Sequence, residues 1–122
     1  MRQPDIEIYL KDCDLEAVSH WLSTALAATP HWLTKGQISQ ALIAQLPVTW
    51  FKHAVGKWNS LLIESADSPW ATDLDCAQAA YATLGVEVRC SLGGWQESQG
   101  EADADQWLKV NAEGVTEFTW RI

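Results

Sequence analysis

From residue 5 onward the chain alternates: Ile6, Ile8 and Leu10 fall on one side and Glu7, Tyr9 and Lys11 on the other, the period-two pattern of a half-buried strand. The pattern then changes period. Asp12, Asp14 and Glu16 put carboxylates where a helix N-terminus favours negative charge. Leu15, Val18, Leu22, Ala25 and Leu26 recur at helical spacing, and Thr29-Pro30 predicts the end of that helix. Residues 34 to 46 fit two patterns. Thr34 and Gln37 suit a capping box with Ile38, Leu42 and Leu46 on a helical stripe, whereas a strand would complete a strand-helix-strand unit with residues 5 to 11; the strand reading is preferred.

Further along, Val48 to His53 and Trp58 to Glu64 read as a hairpin around Ala54-Val55-Gly56-Lys57. A second helix follows, with Thr72 as N-cap, Asp75 at its third position, Leu74, Ala77, Tyr81 and Leu84 along it, and Gly85 closing it. Val86, Val88 and Cys90 alternate with Glu87 and Arg89, so Ser60 to Ser65, the helix and residues 86 to 91 form a strand-helix-strand unit. Its two strands are expected side by side and parallel. Leu108 and Val110 lead into Asn111-Ala112-Glu113-Gly114, a turn that predicts a final hairpin returning through Thr116, Phe118, Trp120 and Ile122. Between these lies Ser91 to Asp105, glycine-rich and without a basic residue, expected as a surface loop.

These elements predict one α+β domain over residues 1 to 122. The expected architecture is a ferredoxin-like split βαβ sandwich, a mostly antiparallel sheet with two helices on one face, extended by extra β-hairpins. A chain of 122 residues fits a single core.

Charge narrows the partners. Sixteen Asp and Glu against eight Lys and Arg give a formal charge of -8, which opposes binding to nucleic-acid phosphates and to anionic membranes. Acidic residues interrupt the first eight positions, and no run of about 18 apolar residues occurs, so neither a signal peptide nor a membrane span is expected. Cys13, Cys76 and Cys90 are odd in number with no C-x-x-C pair, which suits a reducing compartment and places the protein in the cytoplasm.

The common reactive templates are missing. Neither G-x-S-x-G, nor a dinucleotide or phosphate loop, nor H-E-x-x-H occurs, and the three cysteines and three histidines show no paired zinc spacing. Glu97, Glu101, Asp103 and Asp105 offer oxygen ligands for calcium. An EF-hand loop counted from Glu101 or from Asp103, however, needs Gly sixth and Glu twelfth, and finds Gln106 and Ala112 or Leu108 and Gly114. No catalytic residue, metal ligand or cofactor is therefore assigned.

Eight tryptophans are the unusual feature, since indoles grip a partner or a flat ligand with little entropic loss. Trp70 and Trp95 fall in expected loops at the exits of the two parallel strands, where open sheets place ligand crevices. The leading reading is a non-catalytic protein-interaction module, adaptor or inhibitor, that uses exposed indoles. The second is a small-molecule or enzyme pocket with Trp70 and Trp95 as walls, Asp73 as polar contact and Arg89 as anion anchor. The third is a homo-oligomer that hides its surplus indole area at a self-interface.

Overall fold

The computed structural model describes residues 5–64, 69–70, 72–91 and 106–119. In chain order the elements are β1 (Asp5–Lys11), α1 (Leu15–Ala25), β2 (Leu33–Lys35), β3 (Ile38–Ile43), β4 (Leu46–Val55), β5 (Trp58–Glu64), α2 (Asp73–Leu84), β6 (Val88–Ser91), β7 (Gln106–Asn111) and β8 (Gly114–Thr119). Among the described residues the strands form one open antiparallel sheet in the order β2-β3-β4-β5-β1-β6-β7-β8. The architecture is thus α+β, as expected.

Both helices start on the side chains the sequence offers. The Asp14 carboxylate accepts from the Ala17 N–H at 2.9 Å, and the Thr72 hydroxyl accepts from the Asp75 N–H at 3.0 Å. Gly85 ends α2 in the left-handed region at φ 70°, donating its N–H to the Tyr81 carbonyl. Helix α1 stops earlier than Thr29-Pro30, because Ala27 turns left-handed at φ 54° just beyond the Leu26 cap.

Residues 34 to 46 are extended and contain two turns. Gly36-Gln37 joins β2 to β3 and Ala44-Gln45 joins β3 to β4, so the single expected strand is a tight meander. Leu42 and Ile38 lie four apart, a spacing close to one helical turn and also an even number of strand steps, which is why both periods fitted. The β4–β5 hairpin closes at Gly56-Lys57, later than expected. A bulge displaces the register between Phe51 and Val55, with His53 left-handed at φ 57°.

One expectation is corrected: β5 and β6 do run parallel, but they are not neighbours. Strand β1 lies between them and pairs antiparallel with both, Ile8 facing Leu61 on one side and Cys90 on the other. The reason is burial. Ile6, Ile8 and Leu10 are nearly or wholly inaccessible, and a strand with such an inward face is best placed where flanking strands and helices close over it.

The core lies on the helix side of the sheet. Ile8, Leu10, Leu61, Ile63, Val48 and Cys90 meet Val18, Trp21 and Leu22 of α1 and Cys76, Ala77 and Ala80 of α2 in one cluster. Each wholly buried Leu or Ile contributes about 1.5–3 kcal/mol. Among the described residues every buried polar side-chain atom has a hydrogen-bond partner. None of the described helices is long and apolar enough to cross a membrane.

Candidate functional site

The residues singled out from sequence do not all meet. Trp70 precedes α2 and is half-buried; its ring centroid lies 5.3 Å from that of buried Trp21, so it packs onto α1. Asp73 opens α2 on the same side of the sheet, close enough to act on the Cys76 and Cys90 thiols. Arg89 alternates out to the opposite face, opposite Tyr9 in β1 and Lys109 in β7. Trp95 lies outside the described residues, as do the acidic positions Glu97, Glu101, Asp103 and Asp105. The structure therefore brings Trp70 and Asp73 together on the helix side and sets Arg89 across the sheet from them.

Around Arg89 the helix-distal face carries an aromatic cluster. The guanidinium sits 4.0 Å from the Trp58 ring centroid and 4.6 Å from that of Phe118, and its Nε donates to Glu87 at 3.2 Å. Tyr9 meets Trp107 edge-on at 5.6 Å and donates its hydroxyl to Glu7, which also accepts from Ser60. Burial first, then the neighbouring Glu7 carboxylate, pushes the Tyr9 phenol up to about 12.

Exposure points elsewhere on that face. None of the six described indoles is exposed: Trp21, Trp50 and Trp58 are buried, and Trp32, Trp70 and Trp107 half-buried. The exposed large apolar side chains are aliphatic instead. Leu33 (81% accessible), Leu42 (69%) and Ile38 (41%) stand together at the β2–β3 end of the sheet. Register puts all three on the helix-distal face, since Leu33 lies opposite Gln40, and Ile38 and Leu42 share its parity. Pro47 and Phe51, opposite Leu42 and Ile38, extend this apolar corner into β4.

On the helix side, the same end of the sheet opens into a cleft of about 460 Å³. Three connections converge on it: β1–α1 supplies Asp12, Cys13 and Asp14, the β2–β3 hairpin supplies Thr34 and Ser39, and β4–β5 supplies Lys52, His53 and Lys57. Asn59 ties two of them together from a buried position. Its Oδ1 accepts the His53 N–H at 2.7 Å, and its Nδ2 donates to the Cys13 carbonyl at 2.6 Å. Asp12 donates its backbone N–H to the Lys57 carbonyl at 3.1 Å.

Sequence reasoning missed this cleft, although one signal was present. Asn59 shares parity with Leu61 and Ile63, so it is a polar residue on the apolar face of a strand. The cysteines behave as buried hydrophobes. Burial, with Asp14 second, raises the Cys13 thiol to about 11, and burial, with Asp73 second, raises Cys90 to about 12. Among the described residues no group of three or more His, Cys, Asp or Glu side chains converges as metal ligands would.

No family model matches the chain, and no curated protein or solved structure does either.

Proposed function

We propose that this chain is a non-catalytic protein-interaction module, of the adaptor or inhibitor kind, and that its partner docks on the helix-distal corner built by Leu33, Ile38 and Leu42. The observation that supports this reading is the exposure of three large aliphatic side chains on one face of one hairpin, contiguous with Pro47 and Phe51. Soluble domains rarely leave such a cluster open without a use for it. Lys35, beside Ile38 on the short edge strand, discourages pairing of a foreign strand along the edge and so favours docking on the face. The formal charge of -8 repels a second copy, and residues 33–51 carry Lys35 but no carboxylate, so the occupant we assign is a different protein presenting an apolar ridge without a basic cluster.

Two subsidiary readings accompany it. The central order β4-β5-β1-β6, with α1 and α2 as its crossovers, supports a ferredoxin-like split arrangement extended by β2–β3 on one edge and β7–β8 on the other. Three buried cysteines without a disulfide support residence in the reducing cytoplasm.

The test compares baits. Wild-type chain should retain one or more proteins from a cell extract, Leu33→Ser/Leu42→Ser should retain at least tenfold less of them, and Asp12→Asn, altered only at the cleft, should retain as much as wild type. An identical bound set on all three baits contradicts the proposal. So does a wild-type dimer in light scattering that the double substitution converts to monomer, because the corner would then serve a second copy.

A further inference from the structure

The cleft on the helix side, which plays no part in the docking proposal, has the features of a built binding site. Its volume of about 460 Å³ falls within the range of about 300–1,000 Å³ usual for small-ligand pockets. Two of its residues hold uncommon backbone. Asp12 at φ 50° and His53 at φ 57° are left-handed and are not glycine, a conformation that few L side chains adopt. Such strain persists only where surrounding contacts over-determine it, and here they are identifiable: Asn59 holds the His53 N–H and the Cys13 carbonyl, and the Lys57 carbonyl holds the Asp12 N–H. The buried amide thus fixes the spacing between the β1–α1 connection and the β4–β5 hairpin.

The two connections bring opposite charges. Asp12 and Asp14 come from the first, Lys52 and Lys57 from the second, and no ion pair within 4.0 Å joins them, the described ion pair being Arg89 to Glu87 on the far face. The Asp14 carboxylate is already engaged as the cap of α1, which leaves Asp12 as the anionic group able to turn to a ligand. Trp50, buried against the core, and the hydrogen-bonded hydroxyls of Thr34 and Ser39 complete the lining. A molecule that places an ammonium near Asp12 and a carboxylate near the two lysines would satisfy both signs at once, where a singly charged molecule satisfies one and is repelled by the other.

From this geometry we infer that the cleft binds a small zwitterion of the α-amino-acid type, with Asp12 receiving its ammonium group and Lys52 and Lys57 its carboxylate.

The experiment titrates the full chain with neutral L-α-amino acids while following backbone and Asn59 side-chain amide resonances by NMR. N-acetylated amino acids lack the ammonium and amino-acid amides lack the carboxylate, so the two series each delete one charge. At least one free amino acid should shift the His53 backbone and Asn59 amide signals with a dissociation constant of about 1 mM or tighter. Its acetylated and amidated forms should each bind at least tenfold more weakly. Asp12→Asn and Lys57→Met should also weaken it at least tenfold. Both are exposed positions, and asparagine tolerates the left-handed backbone of residue 12. Saturation by no free amino acid overturns the inference. Equal binding of the singly charged derivatives, or full binding by either variant, overturns it as well.

Discussion

The two faces of this sheet come from the same alternating strands but meet different fates. On the helix side, Ile8, Leu10, Leu61, Ile63 and Val88 are wholly buried, and even the thiols of Cys76 and Cys90 are enclosed. On the other side, Leu62, Phe51 and Tyr9 are half-buried, and at the β2–β3 corner Leu33 and Leu42 stand in solvent. The lesson is that an apolar residue in a strand marks a face without saying what covers it. On one face the central strands are covered within the chain; on the other the aliphatic corner stands in solvent.

That contrast predicts unequal responses to substitution. On the covered face, Trp21→Ala should cost the most, about 3–5 kcal/mol in denaturant unfolding, because it empties core volume and removes the surface on which Trp70 packs. Asn59→Ala should follow at about 2–4 kcal/mol, since it strands the His53 N–H and the Cys13 carbonyl. That variant should also lose the amide protection of His53.

The buried thiols give a pH signature of the covered face. Below the ordinary thiol value of 9.0 the folded and unfolded chains are both protonated, and the stability contributed by the neutral thiols is fully present. As pH rises from there, the unfolded chain releases protons that the folded chain keeps, with Cys13 held up to about 11, Cys90 to about 12 and Cys76 also raised. Stability should therefore fall progressively from about pH 9 upward. At neutral pH all three thiols should resist disulfide reagents until the chain unfolds. Rapid labelling of a folded cysteine at neutral pH would contradict the assigned burial.

The smallest effect is expected on the open face. Leu33→Ser/Leu42→Ser should change stability by less than about 0.5 kcal/mol per site, because both side chains are mostly in water already. A large loss would mean that the corner is part of the chain's own packing and has no surface to offer.

Much of the fold was legible in the residues. Strand β1, both helix starts, the Gly85 stop and the final turn follow from period and capping chemistry, which act locally. Strand order was less so. That β1 would separate β5 from β6 depends on which apolar strand gains most from the centre of the sheet, a comparison between distant segments that no local pattern expresses.

The candidate site was less legible still. Tryptophan content pointed to exposed rings, yet the described indoles found buried or half-buried places, and three of the exposed apolar positions, Leu33, Ile38 and Leu42, are aliphatic side chains of a meander whose spacing also fits a helix. The cleft depends on the β1–α1 connection meeting the distant β4–β5 hairpin, through the Asn59 side chain bonded to backbone groups of His53 and Cys13 and through the Asp12–Lys57 backbone bond.

The most direct test of the contrast between the faces is amide hydrogen exchange of the chain alone and with a protein partner captured as proposed above. The account predicts that the partner slows exchange in residues 33–51, across the β2–β3–β4 meander, and leaves α1 and α2 unchanged. Slowing confined to the two helices, with the meander exchanging as it does in the free chain, would contradict it.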